Sequence, residues 1–461
     1  MAQGHRFHSS VLREYDIRGI VGSTLHPADA RAIGLSFGTL AKKEGRSRIA
    51  VGRDGRISSP EMAAALIEGL RDTGIDVVDI GQSPTPMLYF AVHELDADGG
   101  IQVTGSHNPP DYNGFKMMMG KSSFFGERIV ELGKLAASGA WAEGDGSVEK
   151  VDVFDRYVAR LLQDHHGKRD VNCVWDAGNG VAGPAMVALA ERLPGRHECL
   201  FAEVDGTFPN HHPDPTEAHN LVDLIARVKD GGYEMGIGFD GDADRIGVVD
   251  GKGRIIWGDQ ILQILAKDVL ERHPGATIIA DVKASQILFD EIARLGGKPL
   301  MYKTGHSLIK SKMVETGAPL SGEMSGHIFY KDRFYGHDDA LYVAVRLIDI
   351  LARGDLTLAE IRDRMPETFN TPEIRFDCAE ERKFEAIKAI KAHLAARGAD
   401  VDETDGVRVN SGDGWWLLRA SNTQAVLVAR AEAQSEAGLN ARKDEIREAL
   451  AAAGLEAPAG F

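Results

Sequence analysis

Two short stretches carry the residues best suited to chemistry. Thr104-Gly105-Ser106-His107-Asn108-Pro109 places a hydroxyl and an imidazole in a turn that follows an apolar run, 101–104. Much later, Asp240-Gly241-Asp242-Ala243-Asp244-Arg245 alternates three carboxylates through a turn behind the apolar stretch 235–239. Three converging carboxylates repel one another unless a cation neutralises them, and hard oxygen ligands favour Mg²⁺ or Ca²⁺. The loop lacks the glycine and downstream glutamate spacing of an EF-hand. Arg245 sets a cation beside it, as phosphate oxygens require. Alone, Ser106 reads as a turn serine and the aspartates as a solvated acidic turn. Together they point to phosphoryl transfer, with Ser106 either a metal ligand or a phosphate carrier. Spacing does not choose between these, and no GxSxG elbow makes Ser106 a hydrolase nucleophile.

The elements that must position these groups alternate in type. Strands are predicted at 48–51, 75–80 and 101–104, with a helix from Ser59-Pro60 through Leu70. The pattern restarts with strands at 171–175 and 235–239 and helices at 184–193 and 216–228. It restarts again with a helical stretch near 260–270, a strand at 277–280, and helices at 285–295 and 337–351. These are βαβ units around mixed or largely parallel sheets. After a junction at 358–366 come short strands at 373–376, 407–409, 415–419 and 425–429, with helices at 380–396 and 441–452. The fold class is therefore α/β: four domains around a central cleft, three similar mixed α/β units (1–150, 151–254 and 255–365) and a C-terminal α+β unit (366–461).

A chain of 461 residues exceeds one hydrophobic core. Its formal charge of −16 argues against a nucleic-acid surface while permitting a local basic pocket. Cys173, Cys199 and Cys378 are far apart and lack metal or disulfide spacing. No apolar run approaches the ~20 residues a membrane span needs. A cytoplasmic protein without membrane partners, and a monomer, is the expectation.

Two further motifs complete a resemblance: Gly322-Glu323-Met324-Ser325-Gly326-His327 and Arg419-Ala420-Ser421-Asn422-Thr423. In this order and spacing the four motifs resemble those of the α-D-phosphohexomutases, and within them the bacterial phosphomannomutase/phosphoglucomutase group, over essentially the whole chain. The resemblance implies that Ser106 is a phosphoserine and that Asp240, Asp242 and Asp244 hold Mg²⁺ together with a phosphate oxygen on Ser106. Lys116 would be the general base, and Arg18, His107, Arg245 and His306 supporting polar groups. Glu323 and Ser325 would grip sugar hydroxyls beside His327, while Arg419, Ser421, Asn422 and Thr423 bind the unreacting phosphate.

The implied activity moves phosphate between O1 and O6 of a hexose. Phosphorylated Ser106 would give a 1,6-bisphosphosugar, such as glucose 1,6-bisphosphate, which turns over in the cleft and returns its other phosphate. Glucose and mannose differ at C2, so a grip on O3 and O4 would accept both phosphorylated hexoses. Phosphoglucosamine mutase is the alternative. Lys116 could act as a base only if its pKa falls, and the C-terminal unit is expected to swing toward the cleft. Two departures stand out: Ala243 where many members have glycine, and Gln424-Ala425 where glutamate and proline often end the phosphate turn.

Overall fold

The computed structural model describes residues 4–422 and 424–458. Four sheets follow one another along the chain. In the first, the parallel strands Gly99–Val103, Arg48–Arg53 and Asp76–Gln82 form the centre. Tyr112–Met119 and Ile17–Ile20 extend it antiparallel on one side, and Val148–Lys150 pairs at the other edge. The second sheet runs in the order Ile255–Ile256, Ile246–Asp250, Met235–Phe239, Cys173–Asp176, His197–Leu200, so it continues past residue 254. The third runs Lys298–Tyr302, Thr277–Asp281, Leu320–Gly322, Ile328–Tyr330. The fourth is antiparallel throughout, with Val426–Ala433 and Gly414–Ala420 at its centre. This is the expected four-domain α/β architecture.

Burial explains the central strands. Every residue of Met235–Phe239 and Gly99–Val103 is buried, as a strand covered on both faces by crossover helices must be. The first three units share one continuous apolar core, in which Leu88 and Phe90 of the first join Trp175 of the second and Ile348 of the third. The fourth has its own core around Ile390, Trp416 and Ile446. Apolar packing between it and the third unit is a small cluster, Val282, Trp415 and Leu417 with Met301 beside them. At ~2 kcal/mol for each buried side chain, that cluster is a minor attachment beside the shared core.

Several elements differ from expectation. Segment 358–366 is not a plain junction: Leu358–Asp363 is helical, because Thr357 and Glu360 form a capping box at its start. The helix expected at 216–228 is a 3-10 turn, Ala218–Leu221, that leads into Val222–Gly231. The helix expected from 337 begins at Ala340, where Asp339 caps the Tyr342 N–H, which leaves His337 and Asp338 in the preceding loop. The last helix starts earlier, at Glu436, behind the cap Ser435. Among the described residues no helix is long and apolar enough to cross a membrane.

Candidate active site

The serine turn sits at the end of the buried strand Gly99–Val103. Asp54, in the turn after Arg48–Arg53, accepts hydrogen bonds from Thr104 Oγ1 at 2.9 Å and from the Gly105 N–H at 3.0 Å. The chain then turns through Ser106, whose φ of 50° is left-handed and uncommon for a residue with a side chain. Its hydroxyl donates to Asp240 Oδ2 at 2.9 Å and lies 3.2 Å from His107 Nδ1. Burial, reinforced by Arg245 and Arg18, holds the His107 imidazole well below its ordinary pKa.

The acidic turn follows Met235–Phe239 and folds over itself, with the Asp244 and Arg245 N–H groups donating to Asp240 Oδ1 at 3.0 and 3.1 Å. Asp240, Asp242 and Asp244 are fully buried, with one oxygen from each within 4.8 Å of the others. Lys116 reaches into this cage from the strand Tyr112–Met119, 2.7 Å from Asp242 Oδ2 and also hydrogen-bonded to Asp244 Oδ2. Asp242 Oδ1 and Asp244 Oδ1 are buried without a hydrogen-bond partner. Two buried carboxylate oxygens without partners, in a cage of three aspartates, are hard oxygen donors, so the donor set fits a divalent cation. Burial, followed by the two neighbouring carboxylates, pushes Asp240 well above its ordinary pKa. The condition for Lys116 to act as a base, a lowered pKa, is not met in this arrangement. Burial alone would lower it, but Asp242 and Asp244 outweigh burial and hold the ammonium protonated.

Glu323 lies just past Leu320–Gly322, and its Oε1 accepts the Gly305 N–H at 2.7 Å. Burial raises its pKa. His306 starts the helix His306–Thr316 and stacks on His327, with ring centroids 5.5 Å apart. His327 Nε2 accepts from Arg245 Nε at 3.1 Å, and its Nδ1 lies 3.0 Å from Asp338 Oδ2. Arg18 pairs with Asp16 and donates to the Asn108 side chain, so it is tied to the serine turn.

On the far side, Arg419 Nε donates to Asp405 Oδ2 at 2.9 Å. Lys383 holds the following turn through the carbonyls of Ser421, at 2.7 Å, and Gln424, at 3.0 Å. Gln424 Oε1 accepts from Arg375 at 3.1 Å. Asn422 donates to the Tyr15 hydroxyl at 2.6 Å, and that hydroxyl donates to the Thr304 carbonyl at 3.1 Å. Thr423 lies outside the described residues.

One cleft of about 500 Å³ gathers these groups. Ser106, His107, Lys116, Arg18, Arg245, His306, Glu323, Ser325, His327, Arg419, Ser421 and Asn422 all line it, and the three aspartates lie beneath Ser106 and Lys116. Sequence reasoning missed Tyr15, Lys283 and Glu373, which also line it. Lys283 pairs with Glu373 at 2.9 Å across the boundary between the third and fourth units. None of the three sits in a recognisable motif. Arg18, Arg245, Lys283, Arg375 and Arg419 give the cleft a basic lining within an acidic protein.

A buried hydroxyl against a carboxylate cage, in one cleft with several guanidinium groups, is the constellation of a phosphoryl-transfer enzyme. The chain belongs to the phosphoglucomutase/phosphomannomutase family: models of its α/β/α domains I, II and III match residues 9–131, 155–253 and 257–369, and that of its C-terminal domain matches 373–449. It is 46% identical over 453 residues to a phosphomannomutase/phosphoglucomutase of Pseudomonas aeruginosa, covering 98% of each chain. It is 45% identical over 433 residues to a phosphoglucomutase of Neisseria gonorrhoeae, covering 93% of this chain and 94% of that one. The crystal structure of a phosphoglucomutase/phosphomannomutase family protein from Burkholderia thailandensis superposes with a TM-score of 0.93 at 45% identity, covering 99% of this chain and 100% of that one.

Proposed function

We propose that this enzyme interconverts hexose 1-phosphates and hexose 6-phosphates of glucose and mannose through a phosphorylated Ser106 and a 1,6-bisphosphosugar. The observation that carries this reading is the Ser106 hydroxyl, 2.9 Å from Asp240 in a cleft that Arg419 of the fourth unit also lines. One wall can exchange a phosphoryl group while the other holds a phosphate that is not reacting.

In the first half-reaction the bond between Ser106 Oγ and phosphorus breaks as a sugar hydroxyl oxygen bonds to phosphorus. In the second, the sugar's other phosphate returns to Ser106 Oγ. Glucose 1,6-bisphosphate is then the intermediate of the glucose route, or the activator that first loads the serine. Mg²⁺, held by Asp240, Asp242 and Asp244, would supply charge neutralisation for the phosphoryl oxygens. In this reading Lys116 receives the attacking hydroxyl's proton. While paired to Asp242 and Asp244 it keeps its own, so it becomes a base only when those carboxylates are engaged elsewhere. Arg245 spreads positive charge toward the transferring group, and Arg419 offers a planar fork to the remote phosphate. Glu323 and Ser325 hold sugar hydroxyls from a loop that can serve either orientation. The same reading takes the enzyme as a cytoplasmic monomer acting on phosphorylated hexoses.

Intact-mass analysis of the wild type and of Ser106→Ala after exposure to glucose 1,6-bisphosphate, with mutase assays on both, tests this. The wild type should gain ~80 Da, as one phosphoryl group requires, and turn over hexose phosphates. Ser106→Ala should do neither. Full activity in the alanine variant, or an inactive wild type, would refute the reading.

A further inference from the structure

Arg56 is buried at 1% exposure beneath the serine turn, and nothing in the chemistry above uses it. Four carbonyl groups converge on its guanidinium. Nη2 donates to Ser106 at 2.8 Å and Asn108 at 2.6 Å, while Nη1 donates to Tyr112 at 2.9 Å and to Pro109. Asp54 balances the charge, 3.2 Å from Nε, and the same carboxylate holds Thr104 and Gly105. The fit is tight, since a Cβ on Gly105 would stand 2.3 Å from Arg56 Nε. Phe208 from the second unit lies under the guanidinium, 5.2 Å from its carbon.

A loop that receives an anion must turn its carbonyls away and its N–H groups toward it. A trans peptide is planar, so its C=O and the following N–H point in opposite directions. Holding the Ser106 carbonyl down on Arg56 therefore turns the His107 N–H to the opposite side of that peptide. Asn108 and Pro109 are each followed by proline, so their peptides have no N–H to offer. The Ser106–His107 peptide is thus the one among these three whose orientation decides whether the loop presents a donor or an acceptor. It is also the peptide next to a left-handed φ, which relaxes unless something holds it.

We infer that Arg56 is a positioning residue for phosphoryl transfer: by clamping the carbonyls of the serine turn, it fixes the Ser106–His107 peptide with its N–H toward the phosphoryl group carried on Ser106. The inference rests on the proposed phosphoserine chemistry. Arg56 touches neither substrate nor the reacting atoms. Its effect should therefore fall on the chemical step and not on sugar binding.

The test compares wild type, Arg56→Lys and Arg56→Met for kcat, KM for glucose 1-phosphate, and the rate at which glucose 1,6-bisphosphate phosphorylates Ser106. Thermal melting is followed in parallel to normalise every rate to folded protein. The expected result is a kcat lowered about a hundredfold in Arg56→Met, with KM within threefold and the Ser106 phosphorylation rate falling in step. Arg56→Lys should recover part of the loss, because an ammonium satisfies fewer of the four carbonyls than a planar fork does. Should Arg56→Met fail to fold, the lysine variant decides, with kcat lowered roughly tenfold at unchanged KM. Rates per folded molecule within threefold of wild type, or a loss expressed in KM alone, would overturn the inference. An inactive wild type would instead defeat the mutase reading beneath it.

Discussion

A Cβ placed on Gly241 would stand 2.4 Å from the carbonyl oxygen of Ser106, so the acidic turn and the serine turn approach as closely as backbones can. The neighbour is main chain, which cannot swing aside as a side chain would. Gly241→Ala should therefore push the hydroxyl of Ser106 away from Asp240. A misplacement of about 1 Å at reacting atoms can cost a hundredfold in rate, and kcat should fall by that order in a protein that still melts cooperatively. Near-normal turnover in a folded Gly241→Ala enzyme would show that this contact is not needed.

Ala243 offers a contrast within the same turn. Its φ of 63° is left-handed, yet its methyl group is fully buried. Strain of ~1 kcal/mol opposes ~1 kcal/mol of methyl burial, so Ala243→Gly should leave stability nearly unchanged. Ala243→Val should cost ~3 kcal/mol or more, because a branched side chain adopts this conformation poorly and the site has no room. Chemical denaturation of the pair checks this. A valine variant as stable as the alanine parent would contradict it.

The Tyr15 hydroxyl joins three units, since it receives the Asn422 amide and donates to the Thr304 carbonyl. Burial raises its pKa, so the phenol stays neutral and able to donate at working pH. Tyr15→Phe removes two hydrogen bonds worth ~1 kcal/mol each. KM for hexose phosphates should rise roughly tenfold, with a smaller change in kcat. Small-angle scattering should show the wild type compacting on substrate binding, and the ligand-free variant more extended than the ligand-free wild type. Identical profiles for all samples would argue against movement of the C-terminal unit.

Glu323 and Ser325 supply the sugar grip in the proposed chemistry, and a grip on O3 and O4 does not read C2. Paired steady-state assays on glucose 1-phosphate and mannose 1-phosphate should give similar kcat/KM values. A preference above about a thousandfold, or ~4 kcal/mol, would contradict dual specificity.

His93 provides a pH signature outside the cleft. Its ring stacks on Tyr335 with centroids 4.7 Å apart, and burial together with His337 pushes its pKa down to about 4 from an ordinary 6.5. The native state thus binds this proton less readily than the unfolded chain. Stability from this group is complete above 6.5 and is lost as pH falls toward 4, below which both states are protonated. Melting temperatures of the wild type should drop more across that window than those of His93→Gln. Parallel curves would remove His93 as the cause.

What the sequence disclosed follows from how far apart the cooperating residues lie. Ser106 and the Asp240–Asp244 series were readable because each motif is contiguous and ends an apolar strand. Met235–Phe239 was readable because a strand buried on both faces is uniformly apolar or small. Tyr112–Met119 was not, since Asn113, Gly114 and Lys116 interrupt its apolar pattern, although that strand delivers Lys116 to the cage. The helix Pro27–Lys43 also escaped, with glycines and a threonine on its buried side blurring the period. Tyr15, Lys283 and Glu373 act through partners in other units, and no local pattern announces such pairs. Arg56 escaped altogether, because its four acceptors are main-chain oxygens, which carry no sequence signature.

Arg408 and Arg430 hook the last sheet onto the third unit by donating to the carbonyls of Val282, Ala284 and Lys283, just beyond the strand Thr277–Asp281. Those two hooks, and the guanidinium of Arg419 between them in sequence, come after both the serine turn and the acidic turn along the chain. The nascent chain therefore presents its serine and its acidic cage long before anything can shut the opposite wall. Closing that wall therefore waits on the docking of the fourth unit against the third.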